Sequence, residues 1–239
     1  MSKKALITGA SRGIGRETAR TLAEEGYELY LTCSRTFSEL EELKAELMQE
    51  YKIQVHCFSC DMGDYEEVSA LFETIGEVEV LINNAGISYV GLLTDMTPQE
   101  WHRIVNTNLN ALFYTCKMAV PGMVRRQSGK IINVSSIWGN VGASMEVAYS
   151  ATKGGVNSFT KALAKELAPS KIQVNAVAFG VIDTQMNDCL SKEEMDNLVM
   201  EIPVDRVGTA KEAAQMITQL LHAPEYLTGQ IITMDGGFI

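Results

Sequence analysis

The chain has 239 residues, of which 46% are apolar and 21% charged, and its formal net charge is −10. This length fits one large domain with a substantial core, and the acidic balance argues against nucleic-acid or anionic-membrane binding. The apolar run near the N-terminus is too short for a signal peptide, and no stretch suits a membrane span. We therefore expect a cytoplasmic protein.

Short β-branched or apolar runs alternate with segments of helical spacing along the whole chain. The predicted strands are Ala5–Thr8, Glu28–Cys33, Ile53–Phe58, Val78–Asn83, Lys130–Ser135, Ile172–Val177 and Gln230–Met234. The apolar stripes of four intervening helices are Leu40, Leu43 and Leu47; Val68, Leu71, Phe72 and Ile75; Trp101, Ile104, Val105, Leu109 and Leu112; and Ala213, Met216, Ile217 and Leu220. Strict alternation predicts an α/β fold, with a seven-stranded parallel sheet covered by helices on both faces. With six helices and no linker, residues 1–239 form a single domain.

The glycine-rich segment Thr8–Gly15 follows the first strand and leads directly into the first helix. Glycines allow positive φ angles and a close approach of the backbone to a pyrophosphate, which the helix N-terminus attracts. A tight turn without ligand is the alternative, but the strand–glycine–helix order favours a dinucleotide site.

The end of the second strand bears on which nicotinamide cofactor is bound. An NAD site usually has a carboxylate there to accept from the ribose 2′-hydroxyl. Here the strand ends in Cys33-Ser34-Arg35-Thr36. Together with Arg12, Arg35 and Ser34 can bind a 2′-phosphate, so NADP(H) is favoured over NAD(H).

Tyr149 and Lys153 lie four residues apart, which places both on one face of a helix. A nearby cation favours the phenolate, so Lys153 is expected to lower the pKa of Tyr149 towards the working range. Ser136 closes the fifth strand, at the sheet edge where ligands bind. The three residues predict a carbonyl/alcohol oxidoreductase, although each alone can be a helix anchor, a solvated lysine or a cap.

Asparagines interrupt two apolar patterns. Asn108 lies within the apolar stripe of the fourth helix, and Asn83 and Asn84 close the fourth strand. Buried amides must find hydrogen-bond partners, and strand-end asparagines often make turns. Periodicity alone leaves the structural and the functional interpretation open for all three.

The chain contains five cysteines. An odd number of cysteines, including the Cys57-x2-Cys60 pair, predicts buried or loop thiols rather than disulfides, and we expect no metal site.

Residues 181–206 are methionine-rich and acidic and follow the sixth strand. They are expected to form a substrate lid, with a surface helical hairpin as the alternative.

Thr8-Gly9-x3-Gly13-x-Gly15, Asn83-Asn84-Ala85-Gly86, Ser136 and Tyr149-x3-Lys153 occur in an order and spacing that resemble the short-chain dehydrogenase/reductases. The resemblance covers essentially the whole chain, and the ending Met234-Asp235-Gly236-Gly237 is most similar to their 3-oxoacyl-[acyl-carrier-protein] reductases. It implies a doubly wound Rossmann fold, a homotetramer, and NADPH-dependent reduction of a 3-oxoacyl thioester in fatty acid biosynthesis.

The resemblance also implies a role for individual residues. Tyr149 is the expected general acid, Ser136 stabilises the carbonyl oxygen, Lys153 binds the nicotinamide ribose, and Asn108 holds a water of a proton relay. The expected cofactor contacts, including those from the charge argument, are Gly9, Ser11, Arg12, Gly13, Ile14, Gly15, Ser34, Arg35, Asp61, Met62, Asn84, Ala85, Gly86, Tyr149, Lys153, Ile182 and Thr184.

The segment Ala178-Phe179-Gly180 departs from the family pattern, which usually has Pro-Gly here. The larger Phe179 is expected to add bulk beside the nicotinamide pocket, which leaves the substrate open. Another small, sugar-like or alicyclic ketone is the alternative, and a nucleotide sensor without turnover, or a flavin-binding or methyltransferase-like relative, is a more remote one.

An acyl carrier protein is acidic, so a basic docking patch is expected on its reductase. Arg125, Arg126 and Lys130, with Lys171 nearby, can form such a patch or simply a solvated helix end. The acidic residues of the predicted lid argue against docking there.

Overall fold

The computed structural model describes residues 3–188 and 191–239. Its main sheet has seven strands, all parallel, in the order β3-β2-β1-β4-β5-β6-β9. These strands are β1 Lys4–Ile7, β2 Glu28–Cys33, β3 Val55–Ser59, β4 Val80–Asn83, β5 Gly129–Ser136, β6 Ile172–Phe179 and β9 Ile231–Met234. The predicted seven-stranded parallel sheet is confirmed.

A second, two-stranded parallel sheet pairs β7 (Ile182–Asp183) with β8 (Gly208–Thr209). The sequence pattern missed it because strands of two residues have no measurable periodicity.

The α-helices of the described residues are α1 Gly13–Glu24, α2 Phe37–Tyr51, α3 Tyr65–Ile75, α4 Pro98–Val105, α5 Ala111–Arg126, α6 Trp138–Val141, α7 Val147–Leu167, α8 Lys192–Met200 and α9 Ala210–His222. The expectation of six helices was therefore too low. A π-helical turn, Asn106–Asn110, separates α4 from α5 within the predicted fourth helix. The short α6 and the exposed α8 were not counted because neither buries an apolar face.

Two hydrophobic cores lie on opposite faces of the sheet. One contains the buried stripe of α2 (Leu40, Leu43 and Leu47) together with residues of α1 and α9. The other contains the stripe of α3, from Val68 to Ile75, together with residues of α5 and α7. These helices form on each face because their apolar residues recur at helical spacing and are removed from water there.

The sequence predicted that the chain has no membrane-spanning helix and that its cysteines are thiols. None of the helices within residues 3–188 and 191–239 is long and apolar enough to cross a membrane. Cys33, Cys57, Cys60 and Cys116 are free thiols, and burial raises the pKa of Cys57 and of Cys60 to about 12. These thiols are therefore protonated at neutral pH, as expected of structural cysteines; Cys189 lies outside the described residues.

Three cations of the expected basic docking patch have partners within the protein, whereas Lys171 is exposed. Arg125 and Arg126 both pair with Glu77, and Arg126 also donates to the Val78 carbonyl at 2.7 Å. The Lys130 ammonium donates to the Leu221 carbonyl, and burial lowers its pKa. Because these partners lie far away in the sequence, spacing alone could not show that the cations are engaged.

Candidate active site

The glycine turn between β1 and α1 is packed against the end of β4. Gly9 has a φ of +66°, and a Cβ on it would lie 2.9 Å from the Ala85 Cα. A Cβ on Gly15 would lie 2.6 Å from Asn84 Nδ2. Both positions thus require glycine, the first also for its left-handed conformation. The close packing fixes the path of the turn beside the carboxyl edge of the sheet.

Asn84 and Thr8 hold this turn in place. Asn84 Nδ2 donates to the carbonyls of Thr8 and Gly9, each at 2.9 Å. Thr8 Oγ1 accepts from the backbone N–H groups of Asn84 and Ala85, each at 3.0 Å. The side chain of Asn84 therefore positions the glycine turn, while Ala85 and Gly86 continue along the cleft.

Asn83 has a structural role in a buried polar chain. Its Nδ2 donates to Asn133 Oδ1 at 2.9 Å, and its Oδ1 accepts from Thr115 Oγ1 at 2.8 Å. Asn133 Nδ2 donates in turn to Thr160 Oγ1 at 2.9 Å. These bonds satisfy polar groups inside the core, which would otherwise destabilise the fold.

The start of α1 can bind an anion. The backbone of Arg12 is extended at the N-cap, and its side chain does not cap the first-turn N–H groups. A long helix with uncapped amides at its N-terminus attracts phosphate. Thr184 borders the turn, since a Cβ on Gly13 would lie 3.1 Å from Thr184 Cγ2.

Two arginines lie at the edge of this region. Arg12 and Arg35 are exposed, and neither forms an ion pair with a carboxylate of the described residues. Ser34 beside them is exposed as well. The buried Ser11 accepts a 2.7 Å hydrogen bond from Thr36 Oγ1, which ties the glycine turn to the start of α2. The residues present thus fit a dinucleotide with a phosphorylated ribose.

Other predicted cofactor contacts differ in exposure. Asp61 is exposed and its Oδ1 accepts from the Gly63 N–H at 2.9 Å, whereas Met62 is buried against Thr32. Ile14 and Ile182 pack against or within the core on the α1 side of the sheet. Met62 and Ile182 are buried, and their contact with a cofactor remains a prediction.

The structure brings Ser136, Tyr149 and Lys153 together at the carboxyl end of β5. All three are buried, and Ser136 Oγ accepts from the Trp138 N–H at 3.2 Å. Lys153 Nζ lies 5.5 Å from the centre of the Tyr149 ring and donates to the Val134 carbonyl at 2.8 Å. The helix spacing therefore predicted the correct face for the tyrosine and the lysine.

The protonation states of the pair differ from the sequence-based expectation. Burial raises the pKa of Tyr149, the negative charge of Glu146 raises it further, and the hydrogen bond with Ser136 opposes them. Burial also lowers the pKa of Lys153 to about 8. The Tyr149 pKa is therefore raised rather than brought towards the working range, because burial is the largest of these effects. The phenol keeps its proton at neutral pH.

Asn108 lies in the π-helical turn and is almost completely buried. Its Oδ1 accepts from the Ile87 N–H and its Nδ2 donates to the Ile87 carbonyl, both at 2.8 Å. Its Nδ2 also donates to Thr152 Oγ1 at 3.2 Å. Asn108 therefore fixes the loop after β4 against the helix that carries the tyrosine and the lysine.

Asn108 is also close to the lysine. A Cβ on Gly86 would lie 3.5 Å from Asn108 Oδ1 and 3.6 Å from Lys153 Nζ. The amide and the ammonium thus border the same small space beside Gly86. A proton relay through Asn108 remains a prediction.

The side chain of Phe179 lies in the hydrophobic core. It is buried in the core on the α1 side of the sheet, and its carbonyl accepts from the Ile137 N–H at 2.9 Å. The expectation that this side chain adds bulk beside the nicotinamide pocket was wrong. As the last residue of β6, Phe179 points into the protein interior.

Sequence reasoning missed Glu146 and Ser88. Ser88 Oγ donates to Glu146 Oε1 at 2.6 Å, although 58 positions separate them. Burial raises the Glu146 pKa, and the bond from Ser88 opposes that shift. The available signal was the spacing of Glu146 and Tyr149, three residues apart at the start of α7.

The predicted lid contains β7, the short 3-10 helix Gln185–Asn187, and α8. None of the residues of α8 is buried. Ile202 is buried after it, and a Cβ on Gly236 would lie 2.9 Å from Ile202 Cγ2. The end of this segment is therefore anchored on the C-terminal part of the chain, and its function as a lid remains a prediction.

Two relatives match nearly the whole chain. The uncharacterized oxidoreductase YmfI of Bacillus subtilis is 39% identical over 240 residues, covering 100% of this chain and 99% of the relative. The 3-oxoacyl-[acyl-carrier-protein] reductase FabG of Staphylococcus aureus is 41% identical over 246 residues, covering 99% and 98%. Relatives of comparable similarity thus include one whose substrate is named and one whose substrate is not.

A solved structure and a family model agree with the observed fold. The crystal structure of YwfH, an NADPH-dependent reductase involved in bacilysin biosynthesis, is 25% identical and has a TM-score of 0.92. The match covers 100% of this chain and 99% of that one. The family model for short chain dehydrogenase matches residues 3–195. With this match and the grouping of Ser136, Tyr149 and Lys153, the chain belongs to the short-chain dehydrogenase/reductase family and is an oxidoreductase.

Proposed function

We propose that the protein is an NADPH-dependent reductase that converts the 3-oxo group of an acyl thioester into a hydroxyl group. The substrate class is the one named for the FabG relative. The observation that carries the reaction type is the burial of Ser136 and Tyr149 together at the end of β5, with a phenol that keeps its proton. A neutral phenol is the form that a reductase needs at a carbonyl oxygen.

The residues divide the chemistry between binding and proton transfer. Bound NADPH supplies a hydride to the carbonyl carbon. Tyr149 gives its proton to the carbonyl oxygen, and the Ser136 hydroxyl donates a hydrogen bond to that oxygen and stabilises its developing charge. Lys153, held by Val134, presents a cation beside the phenol that offsets the negative charge left on Tyr149.

Selectivity for NADPH rests on Arg12 and Arg35. Both are exposed and unpaired within the described residues, and no carboxylate ends β2. Guanidinium groups bind a phosphate strongly through charge-assisted hydrogen bonds. The ribose 2′-phosphate of NADP(H) is therefore the expected partner of this pair, with Ser34 as a further donor.

Delivery on an acyl carrier protein, a role in fatty acid biosynthesis, a homotetrameric state and a cytoplasmic location are parts of the same proposal. A carrier that docks on Arg125 and Arg126 would compete with Glu77 for the two arginines. Another reductase activity, on a small or alicyclic ketone, is the alternative that substrate kinetics must separate.

The test follows NADPH oxidation with an acetoacetyl thioester, diketones and sugars, with Tyr149→Phe as the control. We expect the thioester to have the highest kcat/KM, and the variant to bind NADPH but to lose turnover. A preference for a diketone or a sugar would overturn the substrate assignment. Tight NADPH binding without oxidation by any compound would favour a nucleotide sensor.

A further inference from the structure

Glu146 occupies the N-cap position of α7, three residues before Tyr149. Residues with this spacing are neighbours on a helix surface. The negative charge of Glu146 also contributes to the raised pKa of Tyr149, after burial. The carboxylate therefore lies near the group that must touch the reacting carbonyl.

Ser88 fixes the position of this carboxylate. Ser88 lies in the loop after β4, next to Ile87. The backbone N–H and carbonyl of Ile87 are both hydrogen-bonded to the side chain of Asn108. The Ser88 hydroxyl donates to Glu146 Oε1 at 2.6 Å, so the loop and the start of α7 are joined. A carboxylate held from two elements does not turn away freely into solvent.

Tyr149, on which the charge of Glu146 acts, lies in an apolar cluster. Tyr149 packs with Ile104 and Ala148, and the partly buried apolar side chains around this cluster are Ile87, Tyr89, Met96, Val105 and Trp138. Charges interact more strongly in such an apolar setting than in water. Within residues 3–188 and 191–239, Glu146 has no cation at ion-pair distance.

The titratable groups of the neighbouring elements do not pair with Glu146. On α7 these groups are Tyr149 and Lys153, and the Lys153 ammonium donates to the Val134 carbonyl. The loop after β4 contributes Tyr89, whose pKa is raised by burial and by Glu100 and Asp95. Further along α4 lie His102 and Arg103, at its C-terminal end. The Glu146 carboxylate is thus an unpaired negative charge among the described residues around Tyr149.

We propose that Glu146, held by Ser88, selects substrates by charge: it admits carbonyl compounds that are neutral near the reacting carbon and rejects those with a carboxylate there. The accepted class is then the thioester, ester or amide of a 3-oxo acid, and the rejected class is the free 3-oxo acid. This inference rests on the proposed function, because it places the reacting carbonyl at Tyr149 and Ser136.

The central experiment compares acetoacetate with its methyl ester, which share the reacting ketone and differ in charge. We expect the wild-type protein to prefer the ester. In Glu146→Gln, which keeps an oxygen that accepts from Ser88, kcat/KM for acetoacetate relative to the ester should rise about tenfold or more, since a repulsive charge is removed. Ser88→Ala keeps the charge but releases the carboxylate, so the preference for the ester should weaken, though less than in Glu146→Gln.

The pH dependence provides a second signature. Because the Glu146 pKa is raised, acidification neutralises this carboxylate while acetoacetate is still an anion. The wild-type preference for the ester should therefore weaken as the pH falls, and that of Glu146→Gln should stay constant. An unchanged ester-to-acid ratio in a folded Glu146→Gln variant would overturn the inference.

A binding measurement separates this inference from the proposed function. Saturation-transfer NMR in the presence of NADP⁺ compares the binding of acetoacetate and the methyl ester without turnover. If neither compound is reduced with NADPH, the proposed function fails, yet stronger acetoacetate binding in Glu146→Gln still supports charge selection. Equal binding of acetoacetate by both proteins would refute charge selection whatever the turnover.

Discussion

Lys153 Nζ lies 5.5 Å from the centre of the Tyr149 ring, yet its hydrogen bond goes to the Val134 carbonyl at 2.8 Å. The lysine is thus held by β5 rather than by the tyrosine. Since both groups are buried, each is shifted towards its neutral form, with Tyr149 raised and Lys153 lowered to about 8. The phenol is therefore protonated at neutral pH, as a group that donates a proton to a carbonyl oxygen must be before the reaction.

Replacing Lys153 should stabilise the fold while impairing the reaction. Its folded pKa of about 8 is below the ordinary 10.5, so burying the charged form opposes folding at neutral pH. Lys153→Met, of similar volume, should raise the free energy of unfolding at pH 7 by about 1–3 kcal/mol, the scale of such a shift less the lost hydrogen bond. Urea unfolding measures this, alongside kcat.

The pH dependence of that gain has a definite sign. Between about pH 8 and 10.5 the unfolded chain binds the Lys153 proton more than the folded protein does, so wild-type stability rises with pH there. The gain from Lys153→Met should shrink across this window. Lys161→Met, on the exposed face of the same helix, should change stability by no more than about 0.5 kcal/mol at any pH. A gain equal for both variants would contradict the assignment.

Arg35→Ala should raise the KM for NADPH about tenfold or more and leave the KM for NADH nearly unchanged, because only NADPH has the 2′-phosphate. Steady-state kinetics with both cofactors tests the prediction. Arg125→Ala serves as the control, since Arg125 pairs with Glu77. Equal losses with NADPH and NADH would show that Arg35 does not contact the phosphate.

Gly15→Ala should destabilise the protein by about 2 kcal/mol or more, because the added Cβ would lie 2.6 Å from Asn84 Nδ2. Gly154→Ala is the matched helical control. The nearest atom to its new Cβ would be 3.5 Å away, so alanine should stabilise α7 by up to about 1 kcal/mol. Thermal unfolding of both variants decides between crowding and a general effect of glycine replacement.

Asn108→Ala should loosen the loop after β4, because Ile87 loses the partners of both its N–H and its carbonyl. We expect faster hydrogen exchange at the Ile87 amide and about a tenfold lower kcat. Asn110→Ala removes only an exposed bond to Asn106 and provides the control. Unchanged Ile87 exchange in Asn108→Ala would refute this positioning role.

Local spacing predicted much of the fold and of the site. The alternation of strands and helices gave the parallel sheet, and the glycine turn and the Tyr149–Lys153 pair follow from short motifs on single elements. The bond between Ser88 and Glu146 was not predictable, because 58 positions separate the two residues. The contacts of Arg126 with Glu77 and of Lys130 with the Leu221 carbonyl were not predictable for the same reason.

The pKa directions were missed because they depend on burial in three dimensions. A nearby cation lowers the pKa of a phenol, but burial of the phenol raises it, and here both groups are buried. The π-helical turn at Asn108 and the inward direction of Phe179 also depend on packing between elements. Sequence periodicity describes one element at a time, so it predicts neither the turn nor the orientation of Phe179.

The grip of Asn84 on the Thr8 and Gly9 carbonyls couples two regions that a reaction cycle uses at different moments. Because the same strand end leads into the loop that contains Ser88, the glycine turn and that loop share one point of attachment. A substitution at Asn84 should therefore disturb the loop that contains Ser88 as well as the glycine turn.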